Sequence, residues 1–440
     1  MLNDTVLVPD NALNIALHKA CQIPLDSPLT TDALATLTTL NVSGLGIESL
    51  EGMEYCINLQ YFDFSENKVI DLVPVTGLVS LIYLNISSNY TMTDSAIQEI
   101  ASLINLEQLG VGYTQVATFS FAMGMNKLKS ITGGYLSSLV SLKGVEGASS
   151  LNSLLLSRSS VLSDISSLPY LPSLAILDLS YCLEISDLTY ISQISSLERL
   201  DFMYAELQDI NFVKGMPNLN EINLGGNFIK DLSPLSTNTN LTNIALQDNY
   251  INDLTALSEL RELSRLYLQQ NCITSLSPLF NLSNLTICNV QENYLTDVSE
   301  AEYLSGRVID FLFEYNFYIN IPAQQAFSSI LDNTIGVGEE KYVKFELYYT
   351  ADGTSYELMQ STNSNGFSGL NVFSSDDSVL TANGVATYIN DITSIDATLT
   401  GVSVGGSSLS IIFSYADSPA PVKLPLINGE YSQNINVINS

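Results

Sequence analysis

Catalysis needs a nucleophile, a base or a metal ligand set at defined spacing, and such side chains are sparse or scattered in this chain. There is a single histidine, His18, inside a stretch that reads as an N-terminal helix, where a lone imidazole is ordinarily structural or solvated. No Ser-His-Asp set, HExxH, phosphate-binding loop or GxGxxG follows a suitable strand. The five cysteines, Cys21, Cys56, Cys182, Cys272 and Cys288, show no CxxC or other metal spacing. Whether Cys21 and Cys56 pair between the N-terminal cap and the first repeat stays open; the other three read as small buried hydrophobes. Acidic residues number 46, so the proximity of two carboxylates does not by itself mark acid–base chemistry. Gly133-Gly134 and Gly225-Gly226 lack the lysine and helix context of a phosphate loop. The expectation is no catalytic residue, no metal site and no cofactor.

The composition narrows the partners. A formal net charge of −31 argues against nucleic acid, which needs a basic patch. Hydrophobic residues make up 46% and charged residues 14%, the balance of a folded chain rather than a disordered one. At 440 residues the chain exceeds one ordinary core and calls for several domains or a repeat array. No apolar run reaches the roughly 18 residues of a membrane span. Met1-Leu2-Asn3-Asp4 carries neither a basic nor an apolar leader region, which fits a cytosolic protein or one whose signal peptide is already removed.

Self-similarity at a fixed period dominates the rest. Copies start at Leu37, Leu59, Leu81, Leu106, Leu128, Leu151, Leu174, Leu197, Leu219, Leu241, Leu263, Leu285 and Val308, about thirteen in all, spaced 22 to 25 residues apart. Apolar residues at positions 1, 4 and 6 of each copy, such as Leu241, Ile244 and Leu246, bury one face of a short strand. Asparagine at position 9 (Asn67, Asn89, Asn227, Asn249, Asn271, Asn293 and Asn316) is expected to hydrogen-bond backbone groups of neighbouring coils. Such a ladder answers the polar groups of an otherwise buried turn. Aspartate at position 13 (Asp71, Asp209, Asp231, Asp253, Asp297) precedes short segments such as Leu232-Ser233-Pro234-Leu235. There it caps free N–H groups while proline takes the first turn; capping explains the repetition better than a calcium-binding column does. Between about Leu106 and Gly215 position 9 departs from asparagine (Thr114, Ser159, Cys182, Ala205), and the Leu128 copy has an irregular turn at Gly133-Gly134. The Leu81 copy is longer, with a fuller helix from Thr93 to Ile100 capped at Thr93 or Asp94.

The 22-residue motif LxxLxLxxNxIxDLxPL, the segment Val8-Pro9-Asp10-Asn11-Ala12-Leu13 and the line Leu45 to Leu59 resemble the internalin family of bacterial surface proteins. The resemblance covers residues 8 to about 321. It implies a leucine-rich repeat solenoid of short parallel strands with convex 3₁₀ or helical turns, closed at its N-terminal end by an amphipathic helix from Asn11 to about Cys21. The period ends after Asn316. From Lys341 it changes to two, as in Tyr342 to Tyr349, then Val385-Ala386-Thr387-Tyr388 and Ser408 to Phe413, which suggests a small all-β sandwich. Val372 to Thr387 resembles bacterial immunoglobulin-like surface repeats, though without the usual tryptophan. The expected organisation is a helical cap (1–36), leucine-rich repeats (37–321), a junction (322–340), an Ig-like β-sandwich (341–417) and a tail (418–440).

In such a solenoid the strands line the concave face, leaving positions 2, 3, 5, 7 and 8 outward. Position 8 then holds Tyr113, Arg158, Tyr181, Tyr204 and Tyr315, and position 5 holds Asp63, Asp178 and Asp201. Tyr61, Tyr83, Arg199 and Arg265 fall at position 3, with Tyr267 at position 5. Tyr181, Tyr204, Asp178, Asp201, Arg199 and Arg158, with Tyr113, form the candidate partner-binding patch, since tyrosine and arginine are favoured at interface centres. The competing reading is that strand tyrosines pack on one another across the sheet. The function implied is non-enzymatic: a secreted or cell-surface, adhesin-like protein binding a protein or glycan ligand, host-derived molecules included. A cytosolic leucine-rich repeat scaffold, or a subunit of the phosphatase-regulating type, is the alternative.

Overall fold

A computed structural model describes residues 4–295 and 298–313, and beyond 313 it describes strand segments only. The chain forms two compact units: Met1–Asn249 with Thr255–Leu266 and Asn281–Leu285, and Tyr250–Leu254 with Tyr267–Phe280 and Thr286–Ser440.

The first unit opens with helix α1 (Asn11–Cys21), whose start is fixed by Asp10: its Oδ1 accepts the Leu13 N–H at 3.0 Å. The same carboxylate reaches across to the first coil, where Oδ2 accepts the N–H groups of Glu48 at 2.7 Å and Ser49 at 3.3 Å. Leu13 and Leu17 bury one face of the helix completely. His18 is buried with both ring nitrogens facing carbonyls, Nδ1 to Asn14 at 2.9 Å and Nε2 to Ser27 at 3.0 Å. It therefore staples the cap together. Among the described residues none of the five cysteines forms a disulfide.

After the cap, each coil contributes one three-residue strand at positions 3 to 5. These are β1 (Thr39–Asn41), β2 (Tyr61–Asp63), β3 (Tyr83–Asn85), β4 (Gln108–Gly110), β5 (Ser130–Thr132), β6 (Ser153–Leu155), β7 (Ile176–Asp178), β8 (Arg199–Asp201), β9 (Glu221–Asn223) and β10 (Asn243–Ala245). Each pairs in parallel with the next, in unbroken register. The strands stay short because position 4 alone points inward while both neighbours face out. Positions 1, 4 and 6 are fully buried, as at Leu81, Leu84 and Ile86.

The strands alternate with 3₁₀ turns, for example Val73–Val75, Leu168–Tyr170 and Ser233–Thr237, each with proline in its first turn. The aspartates before them act as expected: Asp71, Asp209 and Asp231 accept the N–H two residues on, at 2.9, 2.7 and 2.8 Å. The long Leu81 copy carries a helical turn, α2 (Asp94–Ile97), capped by Thr93 and continued by a 3₁₀ turn to Ser102.

The asparagine ladder is present and buried. Asn67 Oδ1 accepts the N–H of Ile47, while its Nδ2 donates to Val42 and Phe64 carbonyls at 2.9 and 2.8 Å. Asn227 repeats this with Leu207, Phe202 and Leu224. Each asparagine thus satisfies groups of its own coil and of the one before.

In the second unit Asn271 and Asn293 continue the pattern, accepting the N–H groups of Ile251 and Ile273 at 3.0 Å each. Ile287–Asn289 pairs in parallel with Asp310–Leu312, and between them lies a helix, Val298–Ser305. Further on, pairing turns mainly antiparallel: Glu340–Glu346 and Leu380–Val385 both pair with Ser394–Gly401. Phe367–Ser374 and Asn434–Ile438 both pair with Gly405–Tyr415. Tyr315, Asp297, the side chain of Asn316 and the proline-bearing tail lie outside the described residues.

Candidate functional site

The candidate residues lie where each strand ends. Position 5 is often Asp or Asn, and its carboxyl or amide oxygen accepts the N–H of position 7. Asp63 binds Ser65, Asn85 binds Ser87, Asp178 binds Ser180 and Asn223 binds Gly225, at 2.9 to 3.2 Å. This local bond bends the backbone out of the strand. Asp178 is therefore engaged in closing its own turn.

Position 8 follows, and its backbone is left-handed in coil after coil: Glu66, Ser88, Tyr113, Tyr135, Arg158, Tyr181, Tyr204, Asp248, Gln270 and Glu292 have φ between 48° and 64°, and Gly44 and Gly226 adopt 70° and 71°. Such a conformation costs an L-residue roughly 1–2 kcal/mol. The N–H of position 8 donates to the position 7 carbonyl of the next coil, as Arg158 to Ser180 at 2.7 Å and Tyr181 to Met203 at 2.8 Å. That bond locks successive position 8 side chains in register, one per coil. They project from the turn after the strand.

The result is a stacked column. Tyr90 meets Tyr113 edge-on with centroids 5.9 Å apart, and Tyr113 stacks on Tyr135 at 4.3 Å. The Arg158 guanidinium carbon lies 5.3 Å from the Tyr135 centroid and 4.0 Å from that of Tyr181. Tyr181 stacks on Tyr204 at 4.9 Å. The Tyr204 ring then covers Gly226, where any added Cβ would fall inside the ring. Desolvation, then a hydrogen bond with Tyr135, hold the Tyr113 phenol above its ordinary pKa. Tyr135, which the sequence reading passed over at the irregular Gly133-Gly134 turn, is the link that joins Tyr113 to Arg158.

The column coincides with the gap in the asparagine ladder. From the second coil to Glu292, position 9 is asparagine wherever position 8 is Glu66, Ser88, Gly226, Asp248, Gln270 or Glu292. It is Thr114, Leu136, Ser159, Cys182 or Ala205 wherever position 8 is tyrosine or arginine. Thr114 Oγ1 donates to the Val111 carbonyl at 2.7 Å, and the Cys182 thiol faces the Leu156 and Ser180 carbonyls at 3.5 and 4.0 Å. Ring stacking outside the turn stands where amide bonding inside it is lost.

The remaining candidates form a separate cluster on β8 and β9. Arg199 Nε donates to Asp201 at 2.8 Å, and its Nη1 lies 3.5 Å from Glu221. Burial pushes the Asp201 carboxyl up against the pull of this arginine. At position 3, Tyr61 and Tyr83 stack almost parallel, with centroids 4.0 Å apart; burial, and a hydrogen bond with Tyr61, push the Tyr83 phenol up to about 12. Among the described residues no group of three or more His, Cys, Asp or Glu is placed to hold a metal ion, and no helix is long and apolar enough to cross a membrane.

Short parallel strands, an asparagine ladder and helical turns on a 22-residue period define a leucine-rich repeat protein. The chain is similar to the crystal structure of an internalin from Listeria monocytogenes: 28% identity, TM-score 0.65, covering 71% of this chain and 91% of the other. A leucine-rich repeat protein from Leptospira interrogans is matched at 18% identity and TM-score 0.46, over 70% of this chain and 91% of the other. No protein-family model matches the sequence, and no curated protein does.

Proposed function

We propose that this is a non-enzymatic binding protein that recognises a macromolecular ligand along the concave side of its solenoid, at the edge formed by Tyr113, Tyr135, Arg158, Tyr181 and Tyr204. The observation that carries the reading is the stacked column itself. It presents hydroxyls and ring edges at fixed spacing, with Tyr113, Tyr135 and Tyr204 each roughly two-fifths exposed. Side chains already ordered by stacking lose little further entropy when a partner docks. Asp178, Asp201 and Arg199 flank the column and extend the surface.

The ligand is a protein rather than a glycan, because the tyrosine faces that would stack on a sugar ring are occupied by neighbouring side chains. The likeness to an internalin supports display outside the cell, with residues 341–417 serving as an Ig-like spacer after the repeats and their junction. The test is a binding screen against soluble protein ectodomains and a glycan array with two variants. Tyr204→Gly alters the column, and Tyr170→Ser alters a 70%-exposed tyrosine on a 3₁₀ turn remote from it in the coil. Binding lost in the first and kept in the second is expected; equal binding by both overturns the reading. A signal peptide upstream in the reading frame, or an anchor downstream, is the expected genetic counterpart.

A further inference from the structure

We propose that Arg158 is a receptor for a carboxylate, so that the partner docks an aspartate or glutamate side chain onto this one guanidinium. The inference rests on the concave-edge reading above and names the chemistry at its centre.

Arg158 lies over ring faces on both sides, Tyr135 at 5.3 Å and Tyr181 at 4.0 Å. It is exposed. Cation–π contact uses the faces of the guanidinium and leaves the N–H groups at its rim. Among the described residues no acceptor takes those N–H groups: Arg158 has neither an ion pair nor a side-chain hydrogen bond. The contrast with the other arginines is informative. Arg199 is bound to Asp201 and Glu221, Arg261 to Glu259, and Arg307 to the Phe280 carbonyl and the Tyr303 hydroxyl. Arg265 is exposed and also lacks such an acceptor among the described residues, but none of their rings holds it.

The surroundings of Arg158 favour an anion although the chain as a whole is acidic. Besides Arg158 itself, the outward positions of its own coil and the one before carry a single charge, Lys129, which is paired with Glu107 at 2.8 Å. The carboxylate in the next coil, Asp178, is held by the Ser180 N–H at 2.9 Å. A fixed, planar, unpaired fork in a neutral setting matches a carboxylate through two parallel N–H···O bonds. A lysine there would offer a point charge without that geometry. The carboxylate comes from a protein side chain, because the ring faces that would hold a uronic acid are taken.

The test is NMR of the Nε–Hε groups of ¹⁵N-labelled full-length protein, in which only Arg158, Arg199, Arg261, Arg265 and Arg307 contribute. The probe is glutarate, with glucuronate as comparator. Glutarate is expected to move the Arg158 signal saturably and further than the Arg265 signal, with millimolar affinity. Tyr181→Leu, which keeps bulk but removes one ring face, is expected to weaken that affinity about three-fold. Arg158→Lys identifies the signal by its loss. A still Arg158 signal, or equal movement of Arg158 and Arg265, overturns the proposal; stronger binding of glucuronate overturns the protein source. That the column binds a macromolecule at all is tested separately by the Tyr204→Gly and Tyr170→Ser pair.

Discussion

Replacing Tyr181 by alanine and by glycine separates two energies that the column combines. Alanine removes the stack on Tyr204 at 4.9 Å and the contact with Arg158 at 4.0 Å. Aromatic pairs are worth about 0.5–1.5 kcal/mol and exposed cation–π contacts about 0.5–1 kcal/mol, so Tyr181→Ala should cost roughly 1–2.5 kcal/mol. Glycine loses the same contacts, but the backbone here has φ 60°. Relief of left-handed strain returns roughly 1–2 kcal/mol, against about 0.5–1 kcal/mol of extra chain entropy in the unfolded state. Tyr181→Gly should therefore be about 0.5–1 kcal/mol more stable than Tyr181→Ala, the reverse of the usual order within regular structure. Tyr181→Phe, which keeps the ring, should stay near the wild type. Urea midpoints followed by far-UV circular dichroism measure all three, there being no tryptophan in the chain. A glycine variant no more stable than the alanine variant refutes the strain argument. An alanine variant as stable as the wild type refutes the claim that stacking holds these coils.

Asn227→Ala should destabilise by about 3–5 kcal/mol in the same assay, because it strands buried N–H and carbonyl groups on two coils at once; a loss under about 1 kcal/mol would count against the ladder. Gly226→Ala introduces a Cβ into the Tyr204 ring at a left-handed position, so it should cost about 1–3 kcal/mol and displace the Tyr204 ring signals; wild-type tyrosine spectra would exclude it. Burial alone would raise the Asp10 carboxyl, yet hydrogen bonds from Glu48, Leu13, Ser49 and Ala12 N–H groups outweigh it and hold the pKa below 3.8. A lowered folded pKa means stability that is present above 3.8 and lost as pH falls through the lower, folded value. Acid unfolding should then begin at a higher pH in wild type than in Asp10→Asn, measured relative to each protein's neutral stability, and superimposable profiles would show the carboxylate to be unimportant.

Position within a coil was legible in the sequence, because burial and local hydrogen bonds repeat with the period. Leucines at 1, 4 and 6 announce the strand's inward face, Asn67 and Asn227 the ladder, Asp71 and Asp231 the turn after it, and Asp10 the start of the cap helix. Each rests on groups a few residues apart, or on the identical group one period away.

What the tertiary structure decided is how neighbouring coils touch. The left-handed turn at position 8 was hinted at by Gly44 and Gly226 alone, since ten L-residues adopt it as well. Ring faces, rotamers and the order Tyr113–Tyr135–Arg158–Tyr181–Tyr204 depend on the hydrogen bond from each position 8 to the next coil, which fixes spacing between segments 22 or more residues apart. Local bonds took Asp178 into its own turn and paired Arg199 with Asp201, while contacts between coils brought Arg199 to Glu221 and set Arg158 between Tyr135 and Tyr181. A one-dimensional pattern places these side chains in a row, but only packing between coils determines which of them spend their contacts on one another.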